Sequence, residues 1–432
     1  MLEKSSRLIL AFALTSLLTL TVWGQAPQKN YKDRAEYDLY ASILKEANPT
    51  QKIALLNQWK EKYPETEFKE ERYQLFLDAY RVSNQGAKVL ETAKEMVAAD
   101  PKSASGLLWI NLMTVSMADT SPAALDAGEK AAHSLIENLD FIFAPEKKPA
   151  QLTDEQWKTQ RTNIEAVAHT TLGWVQMQRK NLPEADTEFR KVLELNPASP
   201  QVSYWLGTVI LGERKPETQA QALYHFARAG YYEGPGALDP AQRKTIQAYL
   251  DKIYTNFHGD KSGLPDIIAR AKTEAMPPPD FKVRSSAEIA AEKEEEFKKT
   301  NPMLALWMSV KKELAGPNGV QYFDSTVKGA ALPGGAHGVQ KFKGTVISQT
   351  PAARPKEVVV GIADPNTPEV TLKFETPLPG KAEPGTVIEF EGIPVAFTPD
   401  PFNVTFAVER DKLSGWPTPA PAAKKGGARR RK

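Results

Sequence analysis

Between Asn30 and Ala275 apolar residues return at intervals of three and four, as in Ile53, Leu56 and Trp59 or Val89, Ala93, Met96 and Val97. That is the period of one helix face, so the spacing predicts an all-helical first part at 30–276. Breaks fall at Asn48-Pro49, Tyr63-Pro64, Asp100-Pro101 and Asn196-Pro197. Proline lacks the amide hydrogen needed to continue a helix, and the last three breaks close the second helix of a pair. From Lys341 the period changes to two. Candidate strands are Lys341–Ser348, Glu357–Ile362, Glu369–Phe374, Thr386–Glu391, Pro394–Thr398 and Asn403–Glu409, rich in Val, Ile, Phe and Thr. Asp364-Pro365-Asn366, Pro379-Gly380, Pro384-Gly385 and Pro399-Asp400-Pro401 supply turns between them. Five or six short antiparallel strands predict a small barrel or sandwich at 338–412. The expected class is α + β multidomain: a helical superhelix followed by a small antiparallel β-barrel or sandwich.

Residues 277–318 separate the two patterns. The run Pro277 to Pro279 is a stiff, extended link. Ser285 with Glu288 three residues on reads as a capping box for a charged helix. Asn301-Pro302 then starts a helix from Met303 to Leu314, stopped at Gly316. Leu304, Trp307, Met308, Val310 and Leu314 give it an apolar face, expected to be the seam between the repeat region and the β part.

Two segments of the helical part match each other 34 residues apart. Leu172-Gly173 is followed by Ala185, Phe189 and Pro197; Leu206-Gly207 is followed by Ala222, Phe226 and Ala229. The glycines and alanines admit close approach of paired helices, and the phenylalanines fill the gap toward the next unit. On these residues the chain resembles the tetratricopeptide repeat (TPR) family. The best repeat is Glu165 to Ala198, and the next, from Ser199 to about Gly234, has a turn lengthened around Glu213 to Thr218. A repeat ending at Pro101 keeps Tyr80 and the proline without the Leu-Gly pair, one ending at Pro64 is weaker, and Ser103 to Pro149 reads as a helix pair stretched by insertion. One such unit cannot bury both of its apolar faces, so several must stack. The Gly344-Thr345-Val346 and Pro384-Gly385-Thr386-Val387 rhythm of the β part resembles an OB-type barrel in pattern.

The ends change the picture. Lys4 and Arg7 precede an apolar stretch from Leu8 to Val22, as in an export signal over 1–24, with cleavage before Gln25 or retention as an anchor. The chain has no cysteine, which excludes disulfides and thiolate metal sites. The formal net charge of +2 hides a mildly acidic body, because Lys424, Lys425, Arg429, Arg430, Arg431 and Lys432 crowd the Pro/Ala-rich tail, read as disordered over 413–432. The protein is expected in the periplasm or bacterial envelope.

No catalytic constellation stands out. His133, His169, His225, His258 and His337 are scattered, without a second histidine or carboxylate at metal-ligand spacing on one helix face. Gly334-Gly335-Ala336-His337-Gly338 lacks the strand–loop–helix context of a phosphate loop and reads as a linker. The reading is a non-enzyme with no cofactor, no metal and no catalytic residue.

What the family resemblance implies is a protein-binding scaffold. It places Val167, Thr170, Trp174, Met177, Gln178, Gln201, Tyr204, Thr208 and Leu211 on the inner face of the first helices, where a peptide or protein segment would lie. For Trp174 the alternative is packing against an adjoining unit. A second reading assigns single-stranded nucleic acid or an anionic envelope polymer to the OB-like part and the basic tail. Export disfavours nucleic acid, and core packing accounts equally for Phe342, Phe374 and Phe390. The six tail cations would also attract anionic envelope lipid.

Overall fold

The computed structural model describes residues 29–333 and 340–417. The expected export signal, the expected Gly334–Gly338 linker and the tail beyond Pro417 lie outside the described residues. The chain divides into two compact units meeting at Ser286 and Ala287.

The first unit is built from helix pairs: α1 (Arg34–Lys45) with α2 (Pro49–Lys62), α3 (Lys69–Val82) with α4 (Gly86–Ala99), and α5 (Ala104–Met117) with α6 (Pro122–Glu137). A short α7 (Leu139–Ile142) follows, then α8 (Asp154–Gln178) with α9 (Leu182–Leu195) and α10 (Pro200–Glu213) with α11 (Gln219–Tyr231), while α12 (Pro240–His258) and α13 (Leu264–Thr273) both pack on α11. Each pair packs on the next in a TPR-like stack. The sequence sets the helix starts. Asp33, Asn48, Ser103, Ser121, Thr153 and Asp239 each accept a hydrogen bond from a first-turn amide, satisfying donors that have no partner inside the helix. The breaks at Asn48-Pro49 and Asp100-Pro101 fall between helices as expected.

A repeated sandwich explains the Leu-Gly and Phe positions. The Phe189 ring lies on Gly173, where a Cβ would come within 2.6 Å of it, and its other side meets Trp205 of α10 at 5.7 Å. The Phe226 ring lies on Gly207, where a Cβ would come within 3.1 Å, and meets Tyr249 of α12 at 5.1 Å. Each phenylalanine thus joins its own pair to the first helix of the next.

Helix α14 (Ser286–Thr300) spans the boundary and buries none of its residues. Its charged residues stay exposed, and only Ile289 and Phe297 are partly covered. The second unit then contains α15 (Pro302–Leu314), α16 (Gly319–Tyr322), which runs into a π-helical turn at Phe323–Val327, and seven strands. They are β1 (Phe342–Thr350), β2 (Glu357–Gly361), β3 (Val370–Lys373), β4 (Val387–Phe390), β5 (Ile393–Pro399), β6 (Phe402–Ala407) and β7 (Leu413–Ser414). Six fall within a few residues of the period-two segments. The hydrogen-bonded order is β5-β6-β3-β2-β1-β4-β7. Only Glu391 and Gly392 separate β4 from β5, yet the two lie near opposite ends of that order. The sheet must therefore curl enough to bring its two ends near each other. Alternate residues Phe342, Val346, Val358, Val360, Val370, Leu372, Ile388, Phe390, Val404 and Phe406 fill the interior.

Three features differ from the sequence reading. The neighbours β3 and β6 run parallel, whereas the remaining strand pairs are antiparallel. The apolar face of α15 packs within its own unit: Trp307, Val310 and Leu314 are buried in the β core, with the indole 5.8 Å from Phe342 and 6.4 Å from Phe406. Order also extends past the expected boundary at 412, since β7 pairs with β4 and Trp416 Nε1 donates to Pro379 O at 2.8 Å.

Candidate functional site

The nine residues placed on the first helices occupy three kinds of position. Trp174 is 5% exposed and packs with Val115, Leu125 and Val175, so its ring belongs to a core cluster between pairs, not to a surface. The physical reason is local: α8 packs against both α5 and α6, and the indole fills the space where they meet. Val167, Met177 and Leu211 are half-buried and lean on the cores beside them. Thr170, Gln178, Gln201 and Tyr204 are half-buried, and Thr208 is exposed. The threonine hydroxyls are turned back on the helix, Thr170 Oγ1 donating to Ala166 O at 2.7 Å and Thr208 Oγ1 to Tyr204 O at 2.9 Å.

An aromatic patch gathers around Phe226. Tyr204 of α10 meets that ring edge-on at 5.7 Å and 75°, and Tyr249 of α12 meets it edge-on at 5.1 Å and 77°. Both geometries are the favoured edge-to-face type, so the buried phenylalanine fixes two tyrosines that reach the surface. Tyr249 is 42% exposed. Burial and then the neighbouring Tyr249 hold the Tyr204 phenol above its ordinary range, so it stays a neutral donor at neutral pH. The patch offers two hydroxyls on flat apolar rings, with Thr208 one turn along from Tyr204.

Sequence reasoning misses Tyr249, because it does not place α12 in the stack. Ile246, Leu250 and Tyr254, all buried and spaced four apart, carry the signal.

The histidines stay dispersed. His169 Nδ1 lies 2.6 Å from Glu188 Oε2 between α8 and α9, His133 is exposed, and His225 is fully buried with neither ring nitrogen hydrogen-bonded. His258 ends α12, and His337 falls outside the described residues. Among the described residues no group of three His, Cys, Asp or Glu could hold a metal ion. Also among them, no helix is long and apolar enough to cross a membrane. In the β unit, Phe342, Phe374 and Phe390 are 0%, 5% and 0% exposed, so none offers a face on which a base could stack.

No protein-family model matches the chain, and no curated protein matches it in sequence. Among solved structures it is similar to a thermophilic TPR protein of Thermus thermophilus, with 15% identity and a TM-score of 0.28, over 50% of this chain and 96% of that one.

Proposed function

We propose that this protein is an exported, non-enzymatic scaffold of the bacterial envelope, whose helix stack receives an extended peptide or a helix of a partner protein across α10 and α12. The observation that carries the reading is the pair Tyr204 and Tyr249, both set edge-on against Phe226, with Tyr249 exposed. Rigid tyrosines present large contact area at little entropic cost, and such residues dominate binding hot spots. On the repeat pattern Gln178, Gln201 and Thr208 would share the inner face of the first helices and supply polar contacts for a backbone.

A photo-crosslinking amino acid at Tyr249 or Thr208, introduced in intact cells, tests this. Covalent adducts to one partner from both positions, and none from Lys191 on α9, are expected. Adducts absent from both positions, or equally strong from Lys191, would reject the patch as a binding surface. Recovery of the adducts with envelope fractions tests the export assignment at the same time.

The β unit is read as an OB-type barrel. Support comes from its β1-β2-β3 meander, the parallel β3–β6 pair and the near-continuous β4–β5 strand that joins the two ends of the sheet. In such barrels the face of the second and third strands binds ligands. Here that face carries Thr371, hydrogen-bonded to Asn403 at 2.9 Å, and Lys373 bridged to Glu357 at 3.2 Å. This is a satisfied polar surface without stacking aromatics, so the protein-binding reading is favoured over nucleic acid or polymer.

A further inference from the structure

Beyond α13 the chain crosses the end of the helix stack as a non-helical strap over residues 277–285. Its apolar side chains are used. Phe281 and Val283 pack on the core of the last pairs, and the Phe281 ring stands edge-on to Tyr224 at 5.1 Å. The strap thus covers apolar surface that the next unit of a stack would otherwise cover.

One side chain ties it down. His258, the last residue of α12, has its side chain 11% exposed. Its Nδ1 lies 2.8 Å from Arg284 O, on the strap, and its Nε2 lies 2.9 Å from Ser262 Oγ. The positions of the hydrogens follow from counting donors. A carbonyl oxygen only accepts, so Nδ1 must carry a hydrogen. Ser262 Oγ lies 2.5 Å from Asp260 Oδ1, and that carboxylate also only accepts, so the serine hydrogen points at Asp260. Ser262 N donates to the same Oδ1 at 2.8 Å, which fixes the turn. The serine oxygen therefore has no hydrogen left for the ring, and Nε2 must donate to it. Both ring nitrogens carry hydrogens only in the imidazolium.

We infer that His258 is an acid-closed latch: as the imidazolium it holds the strap to the turn between α12 and α13, and on losing a proton it lets the strap loosen. The sign follows from the donors. The neutral ring has one hydrogen for two acceptors, so either Arg284 O or Ser262 Oγ is left facing a lone pair. The latch holds while the ring carries both hydrogens and weakens as rising pH removes one of them.

The charged and titratable groups around the ring fit that sense. Asp260 Oδ1 stands 3.6 Å from Nε2, and the Tyr254 ring lies 5.3 Å from the imidazole. Lys261 is engaged by Asp251 at 2.6 Å, Asp266 acts on Tyr254, and Arg284 presents its carbonyl. The Asp260 carboxylate thus stands beside the ring. Opening would expose Phe281, Val283 and the Tyr224 end of the stack.

Amide hydrogen exchange on the full chain, corrected for the intrinsic pH dependence of exchange, tests the latch. Protection of the Phe281 amide, which donates to Pro278 O at 3.0 Å, is expected to fall at least ~5-fold between pH 5.5 and 8.5, while that of the α12 interior stays constant. In His258→Gln, and separately in Ser262→Ala, the strap should show no such pH dependence. Ser262→Ala keeps the histidine and carries the test should His258→Gln fold poorly. Strap protection that is equal at both pH values in the native chain, or a native-like fall retained in the folded variants, would overturn the inference.

Discussion

Trp307 Nε1 donates to Glu369 Oε2 at 2.9 Å with both side chains fully buried, and Trp59 Nε1 donates to the buried Glu36 Oε1 at the same 2.9 Å. Each unit therefore closes part of its core around an indole held by a carboxylate. Glu369 also accepts from Lys311 Nζ and from the amides of Ile362 and Ala363 at 2.9 and 2.7 Å. That set ties α15 to the start of β3 and the turn before it. Buried carboxylates survive only when their lone pairs are met in this way.

Glu369→Gln should destabilise the β unit by about 2–4 kcal/mol, because an amide nitrogen would be pressed against donors. Burial pushes the Glu369 carboxyl up, but the lysine, the two amides and the indole outweigh it and leave the group below its ordinary value of 4.5. A depressed carboxyl contributes stability that is present above that value and is lost as pH falls through the folded one. Urea denaturation at pH 7 and pH 3 should thus show the gap between native and Glu369→Gln narrowing in acid. A gap that widens in acid would contradict the assignment.

His225 behaves in the opposite chemical sense. Burial, with Arg190 adding to it, pushes its imidazole down to about 3, so it is neutral when folded. The unfolded chain takes up the proton near pH 6.5, so stability is full above that value and falls as pH drops toward 3. The loss between pH 7 and pH 5 should be about 2 kcal/mol. His225→Leu removes two buried nitrogens without partners and should match or exceed native stability at pH 7, with a shallower acid slope in urea melts. A variant less stable than native at pH 5 would refute this.

The glycine sandwiches differ in tightness. Gly173→Ala would bring its Cβ within 2.6 Å of Phe189, whereas Gly207→Ala would bring one within 3.1 Å of Phe226. Alanine's better helix propensity offsets about 1 kcal/mol in both cases. The first substitution should still destabilise by about 1–3 kcal/mol and the second by clearly less, measured by denaturant midpoints. Phe189→Leu, by freeing space, should partly rescue Gly173→Ala.

Arg228 is 2% exposed, donates to Ala271 O, Lys272 O and Pro197 O, and has its guanidinium 3.9 Å from the Tyr232 ring centroid. Lysine cannot span three carbonyls or stack flat, so Arg228→Lys should cost about 2–3 kcal/mol in thermal or urea unfolding.

Much of this architecture is legible in the chain. The period-two segments foretell six strands because valine and isoleucine alternate with polar residues and proline-containing turns bound them. The helix pairs are legible where Pro101 or Pro197 marks an exit. Contacts between residues far apart are not. Nothing local announces that β3 lies parallel to β6, or that Trp307 packs on Phe342. At the candidate site, Tyr204 is visible through its spacing from Leu206-Gly207. Trp174 stands just as close to its own Leu-Gly pair, yet its surroundings depend on how α5 and α6 meet α8. Tyr249 escapes notice because α12 carries no Leu-Gly pair.

The two-residue step at Glu391-Gly392 has a consequence for how the β unit could be rebuilt. Gly392 allows no side chain there, since a Cβ would sit 2.7 Å from Ala407 O. A chain nicked at that step would keep all seven strands but lose the direct covalent stitch between the two margins of the curled sheet. A circular permutant opened there should unzip far more readily than one opened in the exposed turn around Asn366.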